Sequence, residues 1–146
     1  MGEAMAEAQF WIGVHGVIVE DARLLVLRRA QRMVYKPGAW DLPGGHLALE
    51  ETLEHCLRRE IGEETGLEVE IERMLGVRKA SARPYVQVIY ACKPAGSRRE
   101  LVLQPREHSD ARWVTVEELT ALGELIPYLE DLVKLGMLGH VAVACS

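Results

Sequence analysis

Glu60, Glu63 and Glu64 stand at positions i, i+3 and i+4 of a stretch, Glu50 to Thr65, whose pattern predicts a helix stopped by Gly66. Projected at about 100° per residue, Leu53, Cys56, Leu57 and Ile61 form one apolar stripe. Glu60 and Glu64 fall within roughly 20° of Leu53 on that wheel, inside the stripe, and Glu63 lies at its edge. Acids on adjacent turns repel one another, and partial burial raises their pKa values unless a cation compensates. Hard divalent cations take such oxygen ligands, and Mg2+ commonly bridges carboxylates and substrate phosphates, with Mn2+ able to substitute. The competing reading is a solvated face neutralised by Arg58, Arg59 and Arg73. The wheel position favours the inward-facing metal site.

The surrounding spacing carries more information. It runs Gly45, five residues, Glu51, seven residues, then Arg59-Glu60-Ile61-Gly62-Glu63-Glu64-Thr65-Gly66-Leu67. This order resembles the signature box of the Nudix hydrolases at every defined position, and a chance match at a given start is on the order of 10⁻⁹. The lead-in Trp40-Asp41-Leu42-Pro43-Gly44-Gly45 fits the same family. The resemblance implies hydrolysis of a phosphoanhydride bond in a nucleoside diphosphate-linked compound, with water attacking phosphorus. By position it makes Glu60 and Glu64 the main metal ligands, and Glu63 an additional ligand or a water-activating group. The Gly45 carbonyl becomes a backbone metal contact, and Arg59 the residue that orients a glutamate through a charge-assisted hydrogen bond. Glu51 supports the loop–helix junction or serves as an outer ligand. Two departures stand out: Glu50 where many members have glycine, and Gly62 at a free position inside the helix.

Weaker signals lie outside the box. In the branch of this family that cleans oxidised nucleotides, an arginine ending the second strand contacts the nucleotide; Arg29 is the first candidate here and Arg28 the second. Glu107, in a loop with His108 ahead of Trp113, matches a region from which some relatives draw a general base or further ligand. Pro84 and Tyr85 fall where separate branches carry substrate-marking residues, and together they discriminate neither branch. Trp11, Tyr35 and Trp40 are candidates for base stacking or for core. His46 either lines the cleft or is structural, Lys36 either touches phosphate or is solvated, and Cys56 reads as a small core residue.

Elements that must position these groups follow from the hydrophobic pattern. Phe10–Glu20 and Leu24–Leu27 read as a hairpin of strands, with Gly13 and Gly16 marking close backbone approach. Gln31–Ala39 reads as a loop, and Pro43-Gly44-Gly45 as a tight backbone change. Leu67–Val77, Tyr85–Cys92 and Ala111–Val114 read as strands, with a loop or hairpin over Ala91–Glu100. Thr115 with Glu118 makes a capping box, and Leu125–Leu135 a terminal helix. His140–Ser146 is expected either to dock as a last strand or to fray. The alternation gives a mixed α/β domain, which the resemblance sharpens to an α/β/α sandwich on a mixed β-sheet. Residues 9–146 are expected to form this single domain behind a disordered lead-in, 1–8.

Bulk properties bound the rest. The 146 residues are 49% hydrophobic, which suffices for one core. A net charge of −5 argues against a broad nucleic-acid surface and leaves room for a small anionic, nucleotide-like ligand held by metal and local arginines. Cys56, Cys92 and Cys145 form neither a disulfide framework nor a zinc pattern, so a reducing cytoplasm is expected. No apolar run reaches membrane-spanning length, and family habit allows a homodimer. The expected reaction is a nucleoside triphosphate or damaged nucleotide plus water giving monophosphate and pyrophosphate. The alternatives are an ADP-ribose or nucleotide-sugar pyrophosphatase and, from another class, a non-catalytic nucleotide sensor.

Overall fold

The computed structural model describes residues 7–79 and 82–143. Residues 1–6 of the expected lead-in and 144–146 of the tail lie outside the described residues. The chain order is β1 (Trp11–Glu20), β2 (Arg23–Arg29), β3 (Trp40–Asp41), β4 (Gly44–His46), α1 (Leu53–Thr65), β5 (Val69–Lys79), β6 (Tyr85–Pro94), β7 (His108–Val114), α2 (Val116–Ala121), α3 (Pro127–Lys134) and α4 (Gly139–Val143). The main sheet runs β3-β2-β1-β6-β5, with β4 added to β1 and β7 to β2. β1 and β6 pair in parallel and the other named ladders are antiparallel, so the sheet is mixed.

Both faces of the central strands are covered, which explains their near-continuous apolar sequences. Successive side chains point to opposite faces. Val14 and Ile18 of β1, Leu25 and Leu27 of β2, and Val88, Tyr90 and Cys92 of β6 pack with Cys56, Leu57 and Ile61 of α1. Val17, Leu24, Val26 and Ile89 face the other way, onto Leu119, Leu129, Leu132 and Val141 of the three C-terminal helices. The result is the expected α/β/α sandwich. Among the described residues no helix is long and apolar enough to cross a membrane.

Several boundaries differ from the sequence reading. α1 begins at Leu53, because the Thr52 hydroxyl caps it by accepting the His55 N–H at 3.1 Å, and Glu51 bonds back to the Ala48 N–H instead of joining the helix. Gly66 ends the helix at φ 77°, a left-handed conformation suited to glycine. β6 runs on to Pro94 and β7 starts at His108, since pairing with β5 and β2 extends each beyond its apolar run. The terminal helix starts only at Pro127, and Gly139–Val143 is helical, so the expectation of a last strand in the tail is corrected. The capping box at Thr115 and Glu118 is present.

Gly62 is exposed on α1, and a Cβ there would meet no atom within 4 Å. Gly62→Ala is therefore expected to raise unfolding free energy by about 1 kcal/mol. Urea titration checks this; an unchanged midpoint would mean that helix propensity at this position does not limit stability.

Candidate active site

The C-terminal half of α1 delivers its carboxylates as the wheel requires. Glu64 is buried, Glu60 is half-buried and Glu63 points to solvent. Glu64 Oε1 accepts the Gly44 N–H at 2.7 Å, which ties the helix to β4. Burial pushes the Glu64 carboxyl well above the usual range, with Glu60, Asp41 and Glu107 adding like charge against the relief from Gly44. Glu60 is raised as well, by burial first, and is partly relieved by Arg59.

Arg59 is the hub of the loop–helix junction. Its Nε and Nη2 donate to the two Glu51 oxygens at 2.6 and 2.7 Å, a bidentate fork. Its Nη1 reaches Glu60 Oε1 at 3.0 Å and Glu63 Oε2 at 3.3 Å. The Arg59 hydrogen bonds hold the Glu51 carboxyl down to about 2. Glu51 also accepts the Ala48 N–H at 3.0 Å, so the pair fixes the loop that carries Gly45.

β4 lies against this acidic face at close range. Any Cβ on Gly44 would run into the Val14 carbonyl, and Gly44 sits at φ 150°. A Cβ on Gly45 would lie 2.8 Å from Glu60 Oε1. At position 44 only glycine lets β4 approach β1 this closely, and a side chain at 45 would displace the Glu60 carboxylate.

A cavity of about 700 Å³ opens over these groups, lined by Gly44, Gly45, Glu60 and Glu64 on one side and by Arg29, Glu107 and His108 on another. Ligand atoms of Glu64, Glu107 and His108 lie within 4.8 Å of one another. His108 is buried, which lowers its pKa, and its Nε2 is 3.9 Å from Glu64 Oε2. The β2–β7 register sets Arg29 opposite His108, which is why the loop before β7 reaches the end of α1. Gathered carboxylates, one of them buried, beside a glycine backbone segment and a histidine suit a divalent cation.

Arg29 faces the cavity, with Nε on the Tyr35 carbonyl at 2.8 Å and Nη1 3.6 Å from Asp41 Oδ2. Arg28, one residue earlier on the strand, points away and donates to the Gly38 carbonyl at 3.1 Å; it does not line the cavity. Neither do Glu51, Arg59 or Glu63, which act on the lining residues through the Arg59 hub. Lys36 pairs with Glu124 at 3.4 Å. Trp40 is 4% exposed and belongs to the core, whereas Trp11 and Tyr35 line the cavity. Trp11, His46 and Tyr85 form a contiguous aromatic wall, with ring centroids 5.5 and 5.3 Å apart, and the Arg83 guanidinium lies 4.4 Å from the Tyr35 ring.

The sequence reading missed His15, Asp41 and Tyr128, which line the cavity floor. The Trp40 N–H donates to the Glu124 carbonyl and the Ile126 N–H to the Trp40 carbonyl, both at 2.9 Å, and this clasp sets Tyr128 beside Asp41. Tyr128 Oη donates to Asp41 Oδ1 and lies 3.0 Å from His15 Nδ1. Burial lowers the His15 pKa against the pull of Asp41, and burial together with Asp41 raises Tyr128 well above the usual phenol range. A histidine inside the apolar run of β1 was the one local signal for this cluster.

The chain is similar to known proteins in sequence and in fold. The NUDIX domain pattern matches residues 10–135. A MutT-like protein of Streptomyces ambofaciens is 39% identical over 119 residues, spanning 81% of this chain and 72% of its own length. A Nudix hydrolase of Listeria monocytogenes serovar 1/2a is 32% identical over 136 residues, 87% of this chain and 78% of its own. The crystal structure of a MutT protein from Methanosarcina mazei Go1 superposes with a TM-score of 0.74 at 25% identity, covering 90% of this chain and 95% of that one. With Glu60 and Glu64 of the box at one cavity and these relatives spanning most of its length, the chain belongs to the Nudix hydrolases, enzymes that act on acid anhydrides.

Proposed function

We propose that this protein hydrolyses a nucleoside triphosphate, or a damaged nucleotide, to the monophosphate and pyrophosphate, with Mg2+ as its cation and Mn2+ as a substitute. The gathering of Glu64, Glu107 and His108 at a nucleotide-sized cavity that Glu60 also lines supports it, as does the 39% identity to a MutT-like protein. Glu60, Glu64 and the Gly45 carbonyl would hold the cation, with Glu107 and His108 close beside Glu64 and Glu63 at the outer edge through Arg59. A bound divalent cation supplies charge neutralisation for the diphosphate and Lewis-acid activation of water. Arg29 binds and orients the nucleotide, and Glu107 takes the proton of the attacking water as the P–O anhydride bond breaks. Gly44 keeps Glu64 in place, so little reorganisation is needed when charge develops. Residues 9–146 act as one domain, in a reducing cytoplasm where the buried thiols of Cys56 and Cys92 stay free.

The test is turnover of a panel with Mg2+: the common and 8-oxo-substituted nucleoside triphosphates, ADP-ribose and a nucleotide sugar. Equimolar monophosphate and pyrophosphate from a triphosphate is the expected result. Preferred cleavage of ADP-ribose would replace this reading with the ADP-ribose one, and tight binding without turnover of any member would favour a sensor.

Gly45→Ala examines the cation site directly. The added methyl meets the Glu60 carboxylate, so Mn2+ affinity by calorimetry and kcat should each fall about 10-fold or more. Unchanged Mn2+ affinity would remove the β4 backbone from the site.

A further inference from the structure

His15, Asp41 and Tyr128 sit on the cavity floor with no part in the proposed hydrolysis. They come from β1, β3 and the first turn of α3, and are only 6, 7 and 8% exposed. Three polar side chains from distant segments, buried together in an interior of valines and leucines, cost stability unless each is satisfied.

Their hydrogen bonds fix the protons. The Asp41 carboxylate can only accept, and its Oδ1 takes the Leu42 N–H at 2.7 Å as well as the Tyr128 hydroxyl. Tyr128 has one proton and gives it to Asp41, so at His15 Nδ1, 3.0 Å away, the phenol oxygen accepts. His15 therefore carries its proton on Nδ1. In the neutral ring Nε2 is then a bare lone pair. That atom is buried, lacks any hydrogen-bond partner among the described residues, and belongs to a residue that lines the cavity.

We propose that His15 is a specificity-determining residue whose Nε2 accepts a hydrogen bond from an N–H or amino group on the base of the bound nucleotide, with Tyr128 and Asp41 as positioning residues that lock the accepting tautomer. This rests on the nucleotide reading above and narrows it to bases that present a donor edge. An acceptor buried without its donor is disfavoured, so a base of equal shape lacking donors is rejected.

The experiment has two arms. Side-chain 15N spectra of the whole protein at neutral pH are expected to show His15 Nδ1 protonated and Nε2 bare, a pattern that Tyr128→Phe disturbs. Calorimetry with Mg2+ then compares GMP, AMP, CMP and UMP with purine riboside 5′-monophosphate and N3-methyl-UMP, whose bases carry no N–H. The best natural nucleotide should bind about 10- to 100-fold more tightly than the donor-free base of its own ring class. His15→Leu should abolish that difference while Mn2+ affinity is kept.

Equal binding of the donor-free base would overturn the proposal and leave a bound water as the Nε2 partner, as would discrimination that survives His15→Leu or a proton found on Nε2. In each case nucleotide turnover still stands. Failure of all six nucleotides to bind, together with no turnover of any triphosphate, would sink the nucleotide reading itself.

Discussion

Glu64→Gln should lower kcat by about 10³-fold or more while the fold remains intact. The substitution keeps the shape of the side chain and leaves an amide oxygen to accept the Gly44 N–H, now made at 2.7 Å by Glu64 Oε1. What it removes is one negative charge at the most buried point of the acidic group. With metal chelated, that charge is a liability: burial and the nearby Glu60, Asp41 and Glu107 all raise the Glu64 pKa. An acid whose folded pKa exceeds its unfolded value contributes no penalty below the unfolded pKa, and its penalty grows as pH rises through the folded one. The metal-free protein should therefore melt at a higher temperature as pH is lowered from neutrality toward the ordinary carboxylate range. Glu64→Gln should flatten that slope and raise the melting temperature at neutral pH. Added Mg2+ should stabilise the parent much more than the variant, because a ligand that binds only the folded state stabilises it by mass action. Calorimetric melts with and without Mg2+ read all three effects. Near-normal turnover, or equal Mg2+ stabilisation of both proteins, would exclude Glu64 from the cation site.

The position of Glu64 was legible because a helix has a fixed period. Leu53, Cys56, Leu57 and Ile61 marked the buried face, and the acids that shared it had to follow them inward. The layered sheet was legible for a related reason: β1, β2 and β6 are apolar on both faces, as strands covered on both sides are. Local chemistry likewise marked the Thr115 and Glu118 cap. What local sequence could not show was pairing across long separations. Asp41 and Tyr128 meet across 87 positions, and His15 and Tyr128 across 113. Their meeting depends on the clasp between Trp40 and the Glu124–Ile126 segment, which no short-range period encodes. Trp40 itself, offered as a stacking surface or core, is core because that clasp covers it. Arg28 and Arg29 were separable in principle: adjacent residues on one strand must face opposite ways, and the register with β7 decides which enters the cavity.

Arg59→Lys is the second large expected effect, and it asks whether the acidic site needs a planar fork or merely a positive charge. The guanidinium meets both Glu51 oxygens within 2.7 Å and still presents Nη1 to Glu60 and Glu63. A lysine ammonium is one compact centre on a flexible stem, and it cannot reproduce a bidentate contact to one carboxylate while reaching a second. Net charge is unchanged in this variant, so a purely electrostatic role predicts little loss. A positioning role predicts that Glu60 drifts and the Gly45 loop loosens, because Glu51 links Arg59 to the Ala48 N–H beside it. The expected outcome is a fall of about 10- to 100-fold in both Mn2+ affinity and kcat, the span seen when groups that orient metal ligands are altered. Glu51→Gln should produce a similar fall by removing the same fork from its other end, and the double variant should lose little more than either single one, since neighbours in one network are not additive. The depressed Glu51 pKa, about 2, sets the pH window. A group held below its unfolded value contributes stability above the ordinary carboxylate range and loses it as pH falls toward 2. The parent should therefore keep the fork through mild acid, and the stability difference from Glu51→Gln should vanish only near that limit. Full additivity of the two single variants would show that Arg59 and Glu51 act on the site separately, and the hub at the loop–helix junction would have to be abandoned.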